Sequence, residues 1–198
     1  MKRYRRVGRI GMVGLLAVAA SAAVARADAP SVASPLRLNA FAVDLAGPGG
    51  TRTAPLDIVI DRWSTDAERD ALIAALADKG SDALLGAMQK VNPSAGYIRT
   101  ATSLGWPIQY AREETRPDGG RRIVFATDRP LGFYERLQHP RSADYEFMLG
   151  EIRLGSDGKG EGRLVPAAKL TFDKDANTLE IENYALEPVR LTHVETSR

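Results

Sequence analysis

Few side chains in this sequence can carry out chemistry, and their spacing restricts them further. There are two histidines, His139 and His193, and no cysteine. The lack of thiols excludes a disulfide framework, a thiolate metal site, a cysteine nucleophile and a lipid-modified cysteine anchor. A hydrolase would need His139 as the base beside a distant serine or carboxylate. No G-x-S-x-G, S-x-x-K or H-E-x-x-H pattern accompanies it. His193 sits in an alternating strand pattern near the end and reads as exposed or structural. Paired carboxylates cannot be singled out among 25 acidic residues.

"DKDANTLEIENY" places Asp173, Asp175 and Asn177 at alternate positions, as a calcium loop would. The sixth position needs glycine and holds Thr178, and the twelfth needs glutamate and holds Tyr184. A hairpin explains the same residues, so no metal and no cofactor is expected. "GPGG" and "DGG" lie in turns between strands rather than ahead of a helix, so they are not a phosphate cradle.

The stretch most suited to binding is "DRPLGFYERLQHPRSAD", residues 128–144. It is longer than most connections in compact domains. Its apolar residues, Leu131, Phe133, Tyr134 and Leu137, are too many for a disordered loop. Arg129, Phe133, Tyr134, Arg136, His139 and Arg141 are the candidate ligand-binding set, with the arginines gripping a carboxylate or phosphate. The bland alternative is a plug over the core, its arginines paired with Asp128, Glu135 and Asp144.

The elements that position these residues follow from periodicity. "LRLNAFAVDL" and "PLDIVIDRW" alternate as strands. Thr65 and Glu68 form a capping box ahead of Leu72, Ile73 and Leu76, with Gly80 as the stop. Ser81 is placed to cap a second helix lined by Leu84, Leu85, Met88 and Val91. From residue 96 onward only strand patterns remain. In all, nine candidate strands and two helices, near 65–79 and 82–91, are expected.

One hairpin can be registered from its side chains. Asp173 opposite Thr178 puts Phe172 against Leu179 and Leu170 against Ile181. It also puts Lys169 against Glu182 and Thr171 against Glu180. The fold class expected is α+β, mostly β: an antiparallel meander closing as a barrel or sandwich, with an inserted two-helix hairpin.

The first residues set the destination. Five basic residues from Lys2 to Arg9 precede an uncharged run from Ile10 to Val24, and Ala25-Arg26-Ala27 follows. That is the pattern of a secretory signal peptide spanning 1–27. The run is shorter than the about 20 apolar residues a membrane span requires. Residues 28–35 read as a flexible leader and 36–198 as a single β-rich domain. Six of the 27 basic residues and none of the 25 acidic ones lie in 1–27, so the remainder carries 21 against 25, net −4. The basic whole-chain balance therefore gives no reason to expect nucleic acid as a partner.

"TSLGWPIQYAR…PDGGRRIVFATDRPLGFYE" and "GKGEGRLVPAAKL…LEIENYALEPVRLT" resemble a family of uncharacterised exported bacterial proteins. The resemblance implies export and one β-rich domain, and it brings no established activity or functional residue. The expectation is a periplasmic or secreted, non-catalytic protein without a membrane span. Its expected partner is a small or amphipathic ligand or an envelope component. The alternatives are the His139 hydrolase and a structural or protein-interaction factor.

Overall fold

Alternation of apolar and polar residues along nearly every strand produces one curved sheet with a filled interior. The computed structural model describes residues 35–45, 51–130, 145–173, 178–183 and 187–197. Along the chain run β1 (Leu36–Asp44), β2 (Arg52–Ile60), α1 (Asp66–Lys79), α2 (Ser81–Met88), β3 (Gly96–Thr100) and β4 (Trp106–Ile108). There follow β5 (Tyr110–Thr115), β6 (Arg121–Thr127), β7 (Phe147–Leu154), β8 (Lys159–Asp173), β9 (Thr178–Asn183) and β10 (Val189–Ser197). All pairings are antiparallel, in the order β4-β3-β2-β1-β10-β8-β7-β6-β5, with β9 on β8 beside this path.

The two end strands of that order are neighbours in the chain. Sequence alternation predicts one strand over 107–114, whereas the structure breaks it at Gln109. Before the break it pairs with β3, and after it with β6. Gln109 N–H itself donates to the Ala126 carbonyl at 2.9 Å, and Ser64 N–H donates to that of Ala111 at 2.7 Å. The single segment 106–115 thereby joins the two ends, and the sheet is nearly closed into a barrel.

The interior is solid. Leu38, Ile58, Ile98, Ile108, Ile123, Ile152, Leu164 and Leu191, from eight strands, are all at most 1% exposed and belong to one cluster. Phe125 lies across Gly150, where any Cβ would fall 2.2 Å from the ring. This glycine makes room for the largest interior side chain of β6.

The helices cover one end of the outer face of β6–β8. Leu76, Leu84 and Met88 pack on Ala126, Phe147, Ala168 and Leu170 as a second core. Helix α1 starts as predicted: Thr65 Oγ1 accepts from Glu68 N–H at 3.2 Å, and Glu68 Oε2 accepts from Thr65 N–H at 2.8 Å. The same carboxylate pairs with Arg62, whose guanidinium also donates twice to the Pro93 carbonyl. These contacts hold the Glu68 carboxyl below its ordinary value, the hydrogen bond from Arg62 first and that from Thr65 N–H second.

Three helical details differ from expectation. Ile73 is 46% exposed, because only Leu72 and Leu76 of that turn face the sheet. The N-cap of α2 is Gly80, and Ser81 Oγ instead donates to Glu146 at 2.9 Å. Helix α2 also ends at Met88, short of Val91.

The 169–182 hairpin takes the register expected from its side chains. Its apolar side is unevenly covered, with Leu170 buried beneath the helices while Leu179 and Ile181 stand about half exposed. Pro166 lies where β7–β8 pairing shifts register, between Leu149↔Val165 and Phe147↔Ala168. A residue without an N–H cannot serve that ladder. Beyond it β8 exchanges β10 for β9 as its partner.

Candidate functional site

Of the sequence-predicted set, Arg129 is described, whereas Phe133, Tyr134, Arg136, His139 and Arg141 lie outside the described residues. Arg129 is exposed just beyond β6. Its Nη2 donates to the Gly105 carbonyl at 3.4 Å, and its own carbonyl accepts from Thr127 Oγ1 at 2.5 Å. Arg129 does not pair with Asp128; Arg136 and Arg141, the other arginines of the plug alternative, lie outside the described residues. Among the described residues Asp128 Oδ1 is buried without a hydrogen-bond partner, as is Gln109 Oε1 at the barrel's joining segment. Buried acceptors of this kind are rare and mark places for a water or a ligand donor.

A more developed feature lies on the outside of the barrel. β7, β8 and β10 form the floor of an open cleft of about 600 Å³. Glu151 and Arg153 from β7, Glu161 and Arg163 from β8, and Arg190 from β10 project into it, with Glu187 at one wall. Antiparallel pairing sets Glu151 opposite Arg163 and Arg153 opposite Glu161. On its other side Arg163 stands directly opposite Arg190.

The charges do not pair as this register would suggest. Arg153 Nε donates to Glu151 Oε1 at 2.7 Å. Arg122 of β6 reaches the same carboxylate, with Nε 3.3 Å from Oε1 and Nη2 3.4 Å from Oε2. Partial burial alone would raise the Glu151 carboxyl, but the hydrogen bonds from Arg122 and Arg153 outweigh it and hold the group below its ordinary value. Glu151 is therefore satisfied without Arg163. Among the described residues neither Arg163 nor Arg190 forms an ion pair or a side-chain hydrogen bond, whereas Arg62, Arg69, Arg99, Arg112, Arg116, Arg121 and Arg122 each hold a carboxylate.

Sequence reading missed the cleft. The signal was present as two E-x-R triplets, 151–153 and 161–163, on successive strands. Period-two spacing places both charges of each triplet on one face. What it leaves open is which glutamate each arginine meets, since that depends on Arg122 of a third strand.

No catalytic constellation assembles among the described residues, and they contain no group of three or more histidines or carboxylates able to hold a metal. His193 is exposed, as expected, at an irregularity of β10 where its φ is 50°. Its ring meets the edge of Phe41 at 6.2 Å between centroids. Compared with protein-family models, curated proteins and solved structures, the chain matches none.

Proposed function

We propose that the protein is an exported, non-catalytic β-rich module that binds an envelope component on the outer face of its barrel. The observation that carries this reading is the contrast between a filled interior and an open, charge-lined outer cleft. A barrel that carries a small ligand inside needs space that Phe125 and its neighbours occupy here. Export is supported by the basic, apolar and small-residue order of residues 1–27. Among the described residues no helix is long and apolar enough to cross a membrane.

Fractionation of the native host, with N-terminal sequencing of the recovered protein, tests export. The expected result is an envelope or secreted fraction beginning near Asp28, and cytosolic protein retaining Met1 would overturn it. Native mass spectrometry of the same material tests binding. A retained component is expected, and a bare chain throughout would count against it.

A second reading, a protein-interaction factor, is favoured by β9. This strand pairs only with β8 among the described residues and presents Leu179 and Ile181 to solvent. Unpaired edges and exposed apolar side chains are common places for partner strands. Under this reading the retained component is a protein, and Leu179→Lys/Ile181→Lys releases it without affecting contacts in the cleft.

A further inference from the structure

We propose that Arg163 and Arg190 together form a binding site for a phosphate group in the outer cleft. The assignment rests on the surface-binding reading above and gives that surface its chemistry.

The argument begins with register. Residues directly opposite on an antiparallel pair have Cβ atoms about 4.5–5.5 Å apart, and like charges placed there are destabilising. β8 and β10 set two guanidinium groups in that relation. The surrounding sheet supplies a carboxylate opposite Arg163, and this would relieve the repulsion. That carboxylate, Glu151, is instead occupied by Arg122 and Arg153. Glu161 and Glu187 line the same cleft, yet neither makes an ion pair among the described residues. The result is two adjacent, exposed cations at the floor of a cleft, neither of which holds a carboxylate among the described residues.

A guanidinium presents a planar fork of N–H donors that matches two oxygens of a phosphate or carboxylate. Two such forks side by side suit a tetrahedral dianion, which offers oxygens to both and neutralises both charges. Phosphate meets this description more fully than a carboxylate, which has two oxygens to share. Glu161 and Glu187 repel an extended polyanion and leave room for a single phosphate, especially one carrying an amine. The phosphate comes from a soluble monoester or from a lipid whose headgroup is a phosphomonoester, since both present the same dianion with three terminal oxygens.

The test uses the full mature chain titrated with inorganic phosphate by isothermal calorimetry. A parallel arm measures flotation with vesicles containing phosphatidic acid, whose headgroup is a phosphomonoester, against vesicles of phosphatidylcholine, a diester with a single phosphate charge. Saturable binding in at least one arm is expected. Arg163→Gln or Arg190→Gln should weaken it by about 10-fold or more, the usual effect of losing a charge-assisted contact. Arg37→Gln removes an exposed arginine of β1 outside the cleft and should leave binding unchanged. Binding to phosphate identifies a soluble source, whereas binding to vesicles alone identifies a headgroup. Without ligand, the Arg163→Gln/Arg190→Gln protein should melt at or above the temperature of the parent, since a repulsion has been removed.

Absence of binding in both arms, or equal weakening by Arg37→Gln, would overturn the assignment. So would a double variant that melts lower and binds as before. A component without phosphorus, retained in native mass spectrometry, would leave the envelope reading standing and remove only this site.

Discussion

Replacing Gly150 with alanine is a direct test of whether the barrel interior is filled. An added methyl would lie 2.2, 2.5 and 2.6 Å from three ring atoms of Phe125. Carbon atoms at rest sit about 3.5–4.0 Å apart, so the ring must move by roughly 1 Å or more. Phe125 is 2% exposed and shares its cluster with Ile123, Met148 and Ile152. Overpacking of such a site costs about 1–3 kcal/mol, and a clash this deep belongs at the upper end. Alanine also restricts the unfolded chain, which returns about 0.4–1 kcal/mol. The net loss expected is about 2–2.5 kcal/mol, or roughly 4–10 °C in melting temperature for a domain of this size. Urea denaturation with a shared slope measures it. Phe125→Leu alone should cost about 1–2 kcal/mol through the space it leaves. Combining the two should cost less than their sum, because each relieves the other. Strict additivity, or an unchanged midpoint for Gly150→Ala, would refute the packing and reopen the interior to a ligand.

Two further perturbations address the helical insertion. Thr65→Ala removes one half of the capping box and should lower stability by about 1 kcal/mol in chemical denaturation, with Thr65→Ser retaining most of it. Glu68 is held below its ordinary carboxyl value near 4.5. Its contribution is therefore present above that value and is lost as pH falls through the lowered one. Glu68→Gln should be less stable than the parent at pH 7 and converge with it in acid, which a series of melting curves from pH 7 to pH 3 would resolve.

What could be read from the sequence was local chemistry. Thr65 and Glu68 announce the start of α1 because both partners lie within one helical turn. The register of the 169–182 hairpin was legible because a one-residue slip would set Leu170 against a glutamate. The break at Gln109 was not legible, since a strand that exchanges partners keeps its alternation. The exposure of Ile73 likewise depends on the sheet beneath the helix rather than on the helix itself. The cleft failed for the same reason on a larger scale. Its glutamates and arginines are visible as alternating triplets, but the arginines that remain unpaired are decided by three strands meeting. The 128–144 stretch drew attention through its composition, and of its six candidate residues only Arg129 falls among those described.

The pairing of β1 with β10 has a kinetic consequence. The Phe41 carbonyl accepts from Thr192 Oγ1, a contact between residues 151 positions apart. No ring can form until the last strand has emerged from the ribosome, so β1 must wait with an unmatched edge while nearly the whole polypeptide is made. Loop closure over such a separation is slow, and topologies dominated by it fold late. The barrel therefore closes as a late event, after the hairpins that can pair as they appear, and such a delay would keep the chain threadable for the export proposed above.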